Sequence, residues 1–139
     1  MNNSRKGFIF LIVALVLIAV AGGYLLSTSG GNTEEALRQQ TQKEWEARSS
    51  GDWGTVYDLT TSAFKGKIAK ANFISKANVV IKEFSLKEVR VLESGKEGQT
   101  LVEYKMSQMG FDFDTKAKGK WLWEDGAWHL DLPAALSPF

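Results

Sequence analysis

Residues 121–130 read WLWEDGAWHL, and this stretch decides the fold of the chain. Apolar and polar side chains alternate on both sides of Asp125-Gly126, a dipeptide that favours the tight turn of a β-hairpin. The pattern predicts two antiparallel strands, Lys118–Glu124 and Ala127–Leu132, with their tryptophans on one face. Pro133 then ends the second strand, because proline lacks the N–H that a sheet requires.

The two-residue period extends back toward the middle of the chain. Phe84 and Leu86 alternate on one parity, whereas the apolar residues from Val89 onward lie on the other. A change of parity within a strand predicts a bulge or a strong bend. Ser94–Gly98 is typical of a turn, and Leu101–Met109 predicts a further strand behind it. We therefore expect an antiparallel sheet of about four strands.

A helix is predicted before the strands. Asn32 can cap its first amides while Glu35, three residues later, reaches back as in a capping box. Ser49-Ser50-Gly51 is a stop signal, since glycine commonly follows the last turn of a helix. One side of this helix is weakly apolar, which predicts a helix that lies on another layer.

Two more helical segments follow. Asp52 is a second candidate cap and opens the short stretch Trp53–Leu59. The stretch Ala69–Lys82 places apolar residues at the spacing of one helix face. They are Phe73, Ile74, Ala77, Val80 and Ile81. Helices first and an antiparallel meander second is an α+β pattern.

Several of these residues carry a family resemblance. The opening 44–48 (EWEAR), 51–53 (GDW) and 57–59 (YDL), with Phe64, Phe73 and the closing stretch 121–130, resembles the nuclear transport factor 2-like (cystatin-like cone) superfamily. The resemblance covers about Thr33–Pro133. It implies helices packed on a curved sheet with a cavity between them, and a homodimer through the sheet. The family includes ketosteroid isomerases and dehydratases, and also non-catalytic binding or assembly domains at bacterial membranes.

The N-terminal part of the chain predicts a membrane anchor. Gly7–Leu26 has no charged residue and is about twenty residues long, enough to span a bilayer as a helix. Arg5 and Lys6 precede it, so the positive-inside rule places residues 1–6 in the cytoplasm. We expect a single-pass protein of a cell inner membrane, with a linker over 27–32 and a periplasmic or extracellular domain over 33–139.

Two other interpretations of this segment stay open. Ala19-Val20-Ala21 resembles a signal-peptidase site, so the domain could be secreted after cleavage. Arg5-Lys6-Gly7-Phe8 resembles the junction that is cut in type IV pilin-like subunits. Major pilins carry glutamate at the fifth mature position, where this chain has Ile12.

Composition excludes several classes of function. The chain has no cysteine, and its 17 basic residues nearly balance its 16 acidic ones. A thiolate metal site and a disulfide framework are therefore excluded, and nucleic acid is not expected as a partner. The sequence offers no histidine pair, no calcium loop and no phosphate-binding glycine loop outside the membrane and linker segments. We expect no cofactor and no metal.

The aromatic residues provide the candidate binding site. Five tryptophans are many for one small domain, and each buries a large area when it packs in a core. Some of them could instead line a pocket or an interface. The candidates are Trp121, Trp123, Tyr57, Tyr104 and Phe73. Their partner would be a small hydrophobic ligand or a membrane protein.

A catalytic site is the alternative. A ketosteroid-isomerase-like reaction needs a carboxylate base and a hydroxyl that stabilises an oxyanion. Tyr57 or Tyr104 could supply the hydroxyl, and the carboxylate candidates are Asp58, Asp112 and Asp114. His129 and Asp131 are expected on the exposed face of the last strand. No catalytic motif of the family is present, so a non-catalytic binding or assembly domain is the leading prediction.

Overall fold

A computed structural model describes residues 31–134, and it confirms an α+β domain with helices on a four-stranded antiparallel sheet. The elements are α1 (Glu34–Ser50), α2 (Trp53–Asp58), α3 (Ser62–Lys67), α4 (Lys70–Lys76), β1 (Val80–Val91), β2 (Glu97–Gln108), β3 (Phe111–Glu124) and β4 (Ala127–Leu130). The predicted span Gly7–Leu26 lies outside the described residues. Within residues 31–134, no helix is long and apolar enough to cross a membrane.

Helix α1 begins one residue later than predicted. The hydroxyl of Thr33, not the side chain of Asn32, accepts the capping hydrogen bond from the amide of Ala36. Asn32 instead donates its side-chain amide to the carbonyl of Gly95, 2.8 Å away in the β1–β2 turn. The end of the helix is as predicted, because Gly51 adopts a left-handed conformation with φ of 74°.

The short helices differ in part from the prediction. Asp52 caps α2 as expected, since its Oδ1 accepts from the amide of Thr55. The predicted helix Ala69–Lys82 is wrong beyond Lys76, because Val80–Lys82 belong to β1. Val80 and Ile81 are β-branched and pair with β2, which outweighs the helical spacing of the apolar residues. Helix α3, capped by Thr61, was not predicted.

The strands form a meander in the order β1-β2-β3-β4. The predicted irregularity of β1 is confirmed, because Leu86 pairs with Val102 while Glu88 already pairs with Leu101. The last hairpin is also confirmed: Asp125 and Gly126 have φ of 50° and 76°, values that fit a type I′ turn.

Several strands begin or end at residues other than those predicted. β3 begins at Phe111 rather than Lys118, because the two residues before it, Met109 and Gly110, both have positive φ and form a tight turn. β2 begins at Glu97, within the predicted turn Ser94–Gly98. Strand β4 ends at Leu130, two residues before the predicted end.

One face of the sheet, the inner face, packs against α1, and the opposite outer face carries most of the charged side chains. Val102, Trp121, Trp128 and Leu130 are almost fully buried on the inner face. Gly98 lets α1 approach closely, since a Cβ there would collide with Leu37. Helix α1 therefore approaches β2 closely at this point, although most of its contacts with the sheet are made with β1.

Candidate functional site

A cleft of about 510 Å³ lies between the C-terminal half of α1 and the inner face of the sheet. Helix α1 contributes Glu44, Trp45 and Arg48 to its lining. The sheet contributes Thr100, Tyr104, 116–120 and 130–133. The charged lining residues are Glu44 and Arg48 on α1 and Lys116, Lys118, Lys120 and Asp131 at the sheet edge. The three lysines alternate with the inner-face residues of β3, so their side chains leave on the outer side, where Lys116 pairs with Glu103 and Lys120 with Asp131.

A buried ion pair lies at the helical wall of the cleft. Nε of Arg48 donates to Oε1 of Glu44 at 2.7 Å, and the two side chains are only 6% and 4% exposed. Burial raises the pKa of the Glu44 carboxyl, and the charge and hydrogen bond of Arg48 oppose that rise. The guanidinium also lies over the rings of Trp45 and Trp53, at 5.3 and 5.6 Å from their centroids.

Aromatic rings line the cleft beside this ion pair. The ring centroid of Trp45 is 4.7 Å from that of Tyr104 and 6.0 Å from that of Phe84. Trp45 is buried, whereas Tyr104 is only half-buried and lines the cleft with it. The combination of apolar rings with a few charged groups is typical of small-molecule sites.

Gly119 keeps the sheet side of the cleft open. A Cβ at this position would collide with Oγ1 of Thr100 and lie 3.1 Å from Nε1 of Trp121. These two groups are joined by a hydrogen bond, in which the Trp121 indole donates to Thr100 at 3.3 Å. Only glycine fits beside this pair without displacing one of its members.

The five predicted site residues do not converge on one pocket. Tyr57 and Phe73 pack together at 5.6 Å between ring centroids, in a cluster with Phe64 that the three short helices form among themselves. Trp121 is fully buried beside Leu37, Trp128 and Leu130, and Trp123 packs on that cluster. Tyr104 alone of the five lines the cleft.

The predicted catalytic groups are also distributed over the domain. The hydroxyl of Tyr57 donates to the carbonyl of Ile68 at 2.7 Å. Asp58 pairs with Lys70 at 2.9 Å, and Asp112 pairs with Lys82 at 2.8 Å on the outer face. The hydrogen bond from Lys82 lowers the pKa of Asp112. None of these carboxylates lies beside a tyrosine hydroxyl in the cleft lining.

His129 lies on the face opposite the buried Trp128, as predicted, but His129 and Asp131 are half-buried rather than exposed. Asp131 lines the end of the cleft and accepts from Lys120 at 3.3 Å. The ring of His129 has its Nδ1 buried without a hydrogen-bond partner among the described residues. Leu132 packs on two core clusters, and Leu59 and Thr61 are hydrogen-bonded to Leu130, so the end of β4 is partly covered.

Sequence reasoning missed Glu44 and Arg48 as site residues. They lie four residues apart on the same face as Leu37 and Thr41, which are both fully buried. Two opposite charges that continue a buried helical stripe are a readable signal, because such a stripe otherwise carries apolar residues. Within residues 31–134, no three histidine or carboxylate side chains gather as a metal site.

Two further depressions, of about 450 and 410 Å³, lie on the sheet itself. Charged side chains make up most of their lining, and several are already paired, such as Lys116 with Glu103 at 3.0 Å and Lys105 with Glu83 at 3.4 Å. They lack a helical wall. The cleft beside α1 is therefore the better candidate site.

Comparison with known proteins supports the fold but assigns no family. No family model matches the chain, and no curated protein is similar to it in sequence. A similar solved structure is the solution structure of a SEC-C motif containing protein from Rhodopseudomonas palustris. It matches with a TM-score of 0.58 and 14% identity over 83% of this chain and 88% of that one. At this identity the likeness shows the fold alone.

Proposed function

We propose that this chain is a membrane-anchored, non-catalytic binding domain that works on the extracytoplasmic side of a bacterial-type membrane. The domain would be a cystatin-like cone of the nuclear transport factor 2-like kind. The order of helices followed by a four-stranded meander supports that assignment. Gly7–Leu26 would be the anchor, and the bilayer its first partner.

The observation that carries the binding function is the cleft between α1 and the sheet. Its volume suits a small molecule, and its rings Trp45 and Tyr104 provide an apolar surface. Lys118 borders the cleft at the edge of β3 and has no ion pair within the described residues, so its long side chain is the cation available to a ligand there. We therefore expect a small ligand with an apolar or aromatic body and an anionic end.

Binding can be tested with para-fluorophenylacetate, which has both features. Fluorine NMR of this probe with the full chain in lipid nanodiscs should show saturable line broadening, compared with empty nanodiscs. The uncharged para-fluorophenylacetamide should bind more weakly, since it lacks the anionic end. Broadening equal to that of empty nanodiscs at every protein concentration would contradict the proposal.

The location can be tested by intact mass spectrometry of the protein from its native membrane. An unprocessed chain supports the anchor. Loss of residues 1–21 would mean secretion of the domain, and loss of residues 1–7 would mean a pilin-like subunit. Both of these results contradict a permanent anchor.

An isomerase or dehydratase is the second candidate, and one observation favours it. Burial raises the pKa of Glu44, which lies in the cleft with Tyr104, and acid–base catalysts have carboxyls with such a shift. The Arg48 guanidinium that holds Glu44 favours a structural role instead. If substrates are found, E44Q separates the two: a catalyst loses turnover but retains binding, whereas a binding domain has no turnover to lose.

A further inference from the structure

Strand β3 has an edge without a partner over much of its length. β2 pairs with β3 from Phe111 to Leu122, but on the other side β4 pairs only with Trp121–Glu124. Among residues 31–134, no strand covers the remaining edge from Asp112 to Lys118. A long uncovered edge is a template for a further strand.

The backbone groups that point out of this edge can be identified. The amide of Asp131 donates to the carbonyl of Lys120 at 2.8 Å on the β4 side, whereas the amide of Trp123 donates to Lys96 at 2.9 Å on the β2 side. The N–H and C=O groups of successive residues point to opposite sides of a strand. The N–H and C=O groups of Asp112, Asp114, Lys116 and Lys118 therefore point out of the sheet edge.

The side chains along this edge are complementary to themselves. Residues 112–118 read DFDTKAK, with two aspartates before Thr115 and two lysines after it. We propose that the edge binds the same edge of a second copy, antiparallel, about a two-fold axis at Thr115. Asp114 then faces Lys116 of the second copy, and Asp112 faces Lys118 of the second copy. Opposite charges stabilise such cross-strand pairs.

This register also satisfies the backbone. The hydrogen-bonded pairs would be formed by the four residues whose backbone N–H and C=O groups point out of the sheet edge: Asp112, Asp114, Lys116 and Lys118. A register centred on Lys116 would instead place that lysine opposite itself. It would also require the Lys120 carbonyl, which already accepts from Asp131. The Thr115-centred register has neither fault.

One of the two exposed phenylalanines of this strand, Phe113, supports the same arrangement. Phe113 is 51% exposed on the inner-face side of β3, opposite Met106. In the proposed register it lies opposite Ala117 of the second copy. A large side chain would then pack over a small one, twice per dimer. The added strand also continues the sheet beside the cleft, which Ala117 lines.

Cysteine crosslinking tests the pairing, because the chain has no native cysteine. In the proposed register, Thr115 lies directly opposite Thr115 of the second copy, and its N–H and C=O groups point toward β2. The Cβ atoms of such a non-hydrogen-bonded pair are close enough for a disulfide. The variant T115C, as full chain in its membrane, should form a disulfide-linked dimer under mild oxidation. S94C, exposed in the β1–β2 turn, is the matched control and should form several-fold less.

A charge swap separates the proposed register from random collision. In the T115C background, K116D would place two aspartates opposite each other and reduce crosslinking several-fold. The double swap D114K/K116D restores opposite charges across the axis and should restore crosslinking. It does not restore the ion pair of Lys116 with Glu103, so the loss of that pair is common to K116D and to the double variant.

Three results would overturn the proposal. Crosslinking of T115C no greater than that of S94C would exclude a shared edge. Failure of the double swap to recover would exclude this register. Crosslinking that appears only after removal of residues 135–139 would mean that the chain's own C-terminal end covers the edge.

Discussion

Nε of Arg48 lies 2.7 Å from Oε1 of Glu44, in a setting where both side chains are more than nine-tenths buried. Taking two charges out of water is costly, and their attraction compensates only while both are present. The stability of the domain therefore depends on keeping both charges of this pair. It is also the charged part of the cleft that lies on α1.

Removing one partner of this pair should destabilise the domain strongly. R48M leaves the Glu44 carboxylate buried without its cation, and we expect a loss of about 3–5 kcal/mol in the free energy of unfolding. Urea unfolding followed by tryptophan fluorescence measures it. The double variant E44L/R48M removes both charges and should recover most of the loss. A double variant no more stable than R48M would show that the lost packing of Arg48, not the charge, matters.

Stability should depend on pH through Glu44. Its pKa in the folded state is raised above the 4.5 of the unfolded chain. The folded state therefore binds the proton more tightly, and this contribution is full below pH 4.5 and decreases as the pH rises through the folded pKa. Relative to E44Q, the unfolding free energy of the wild type should fall from pH 4.5 toward neutrality. A constant difference over this range would contradict the raised pKa.

Gly119 should tolerate no side chain. G119A would press its Cβ against Thr100 and the Trp121 indole, with an expected cost of about 1–3 kcal/mol from overpacking. Gly66 in α3 is the matched control, because a Cβ there meets nothing within 4 Å. G66A should stabilise the domain by up to about 1 kcal/mol, since alanine favours helix. Equal effects of the two substitutions in thermal unfolding would refute the role of Gly119.

The start of α1 gives a further prediction. T33A removes the hydroxyl that caps the Ala36 amide and should cost about 1 kcal/mol. N32A removes only the exposed contact with Gly95 and should cost less. Urea unfolding of both variants compares them. A larger loss for N32A would return the cap to Asn32.

The sequence predicts best where local chemistry decides the structure. Asp125-Gly126 can adopt the positive φ values of a tight turn, and Asp52 can cap a helix without distant partners. Those predictions were confirmed. The helix predicted through Lys82 failed because Val80 and Ile81 obtain their hydrogen bonds from β2, which the sequence pattern does not contain.

The candidate site was harder to predict for the same reason. Trp121 and Phe73 are attractive pocket residues by composition, yet the helices cover them completely. Glu44 and Arg48 look like ordinary surface charges until α1 is placed on the sheet. Their burial depends on how closely the helix approaches the sheet, and Gly98 leaves room for the Leu37 side chain in that approach. The burial of Glu44 and Arg48 is therefore visible only once α1 and the sheet are packed together.

The sharpest test of ligand binding in the cleft compares two alanine-to-phenylalanine variants. Ala117 lies on the inner face and lines the cleft, whereas Ala127 lies on the outer face of β4 and is half-buried. The dissociation constant of para-fluorophenylacetate, measured by fluorine NMR with the full chain in nanodiscs, should rise at least tenfold in A117F. It should stay at the wild-type value in A127F. Equal affinity of both variants and the wild type would contradict binding in this cleft.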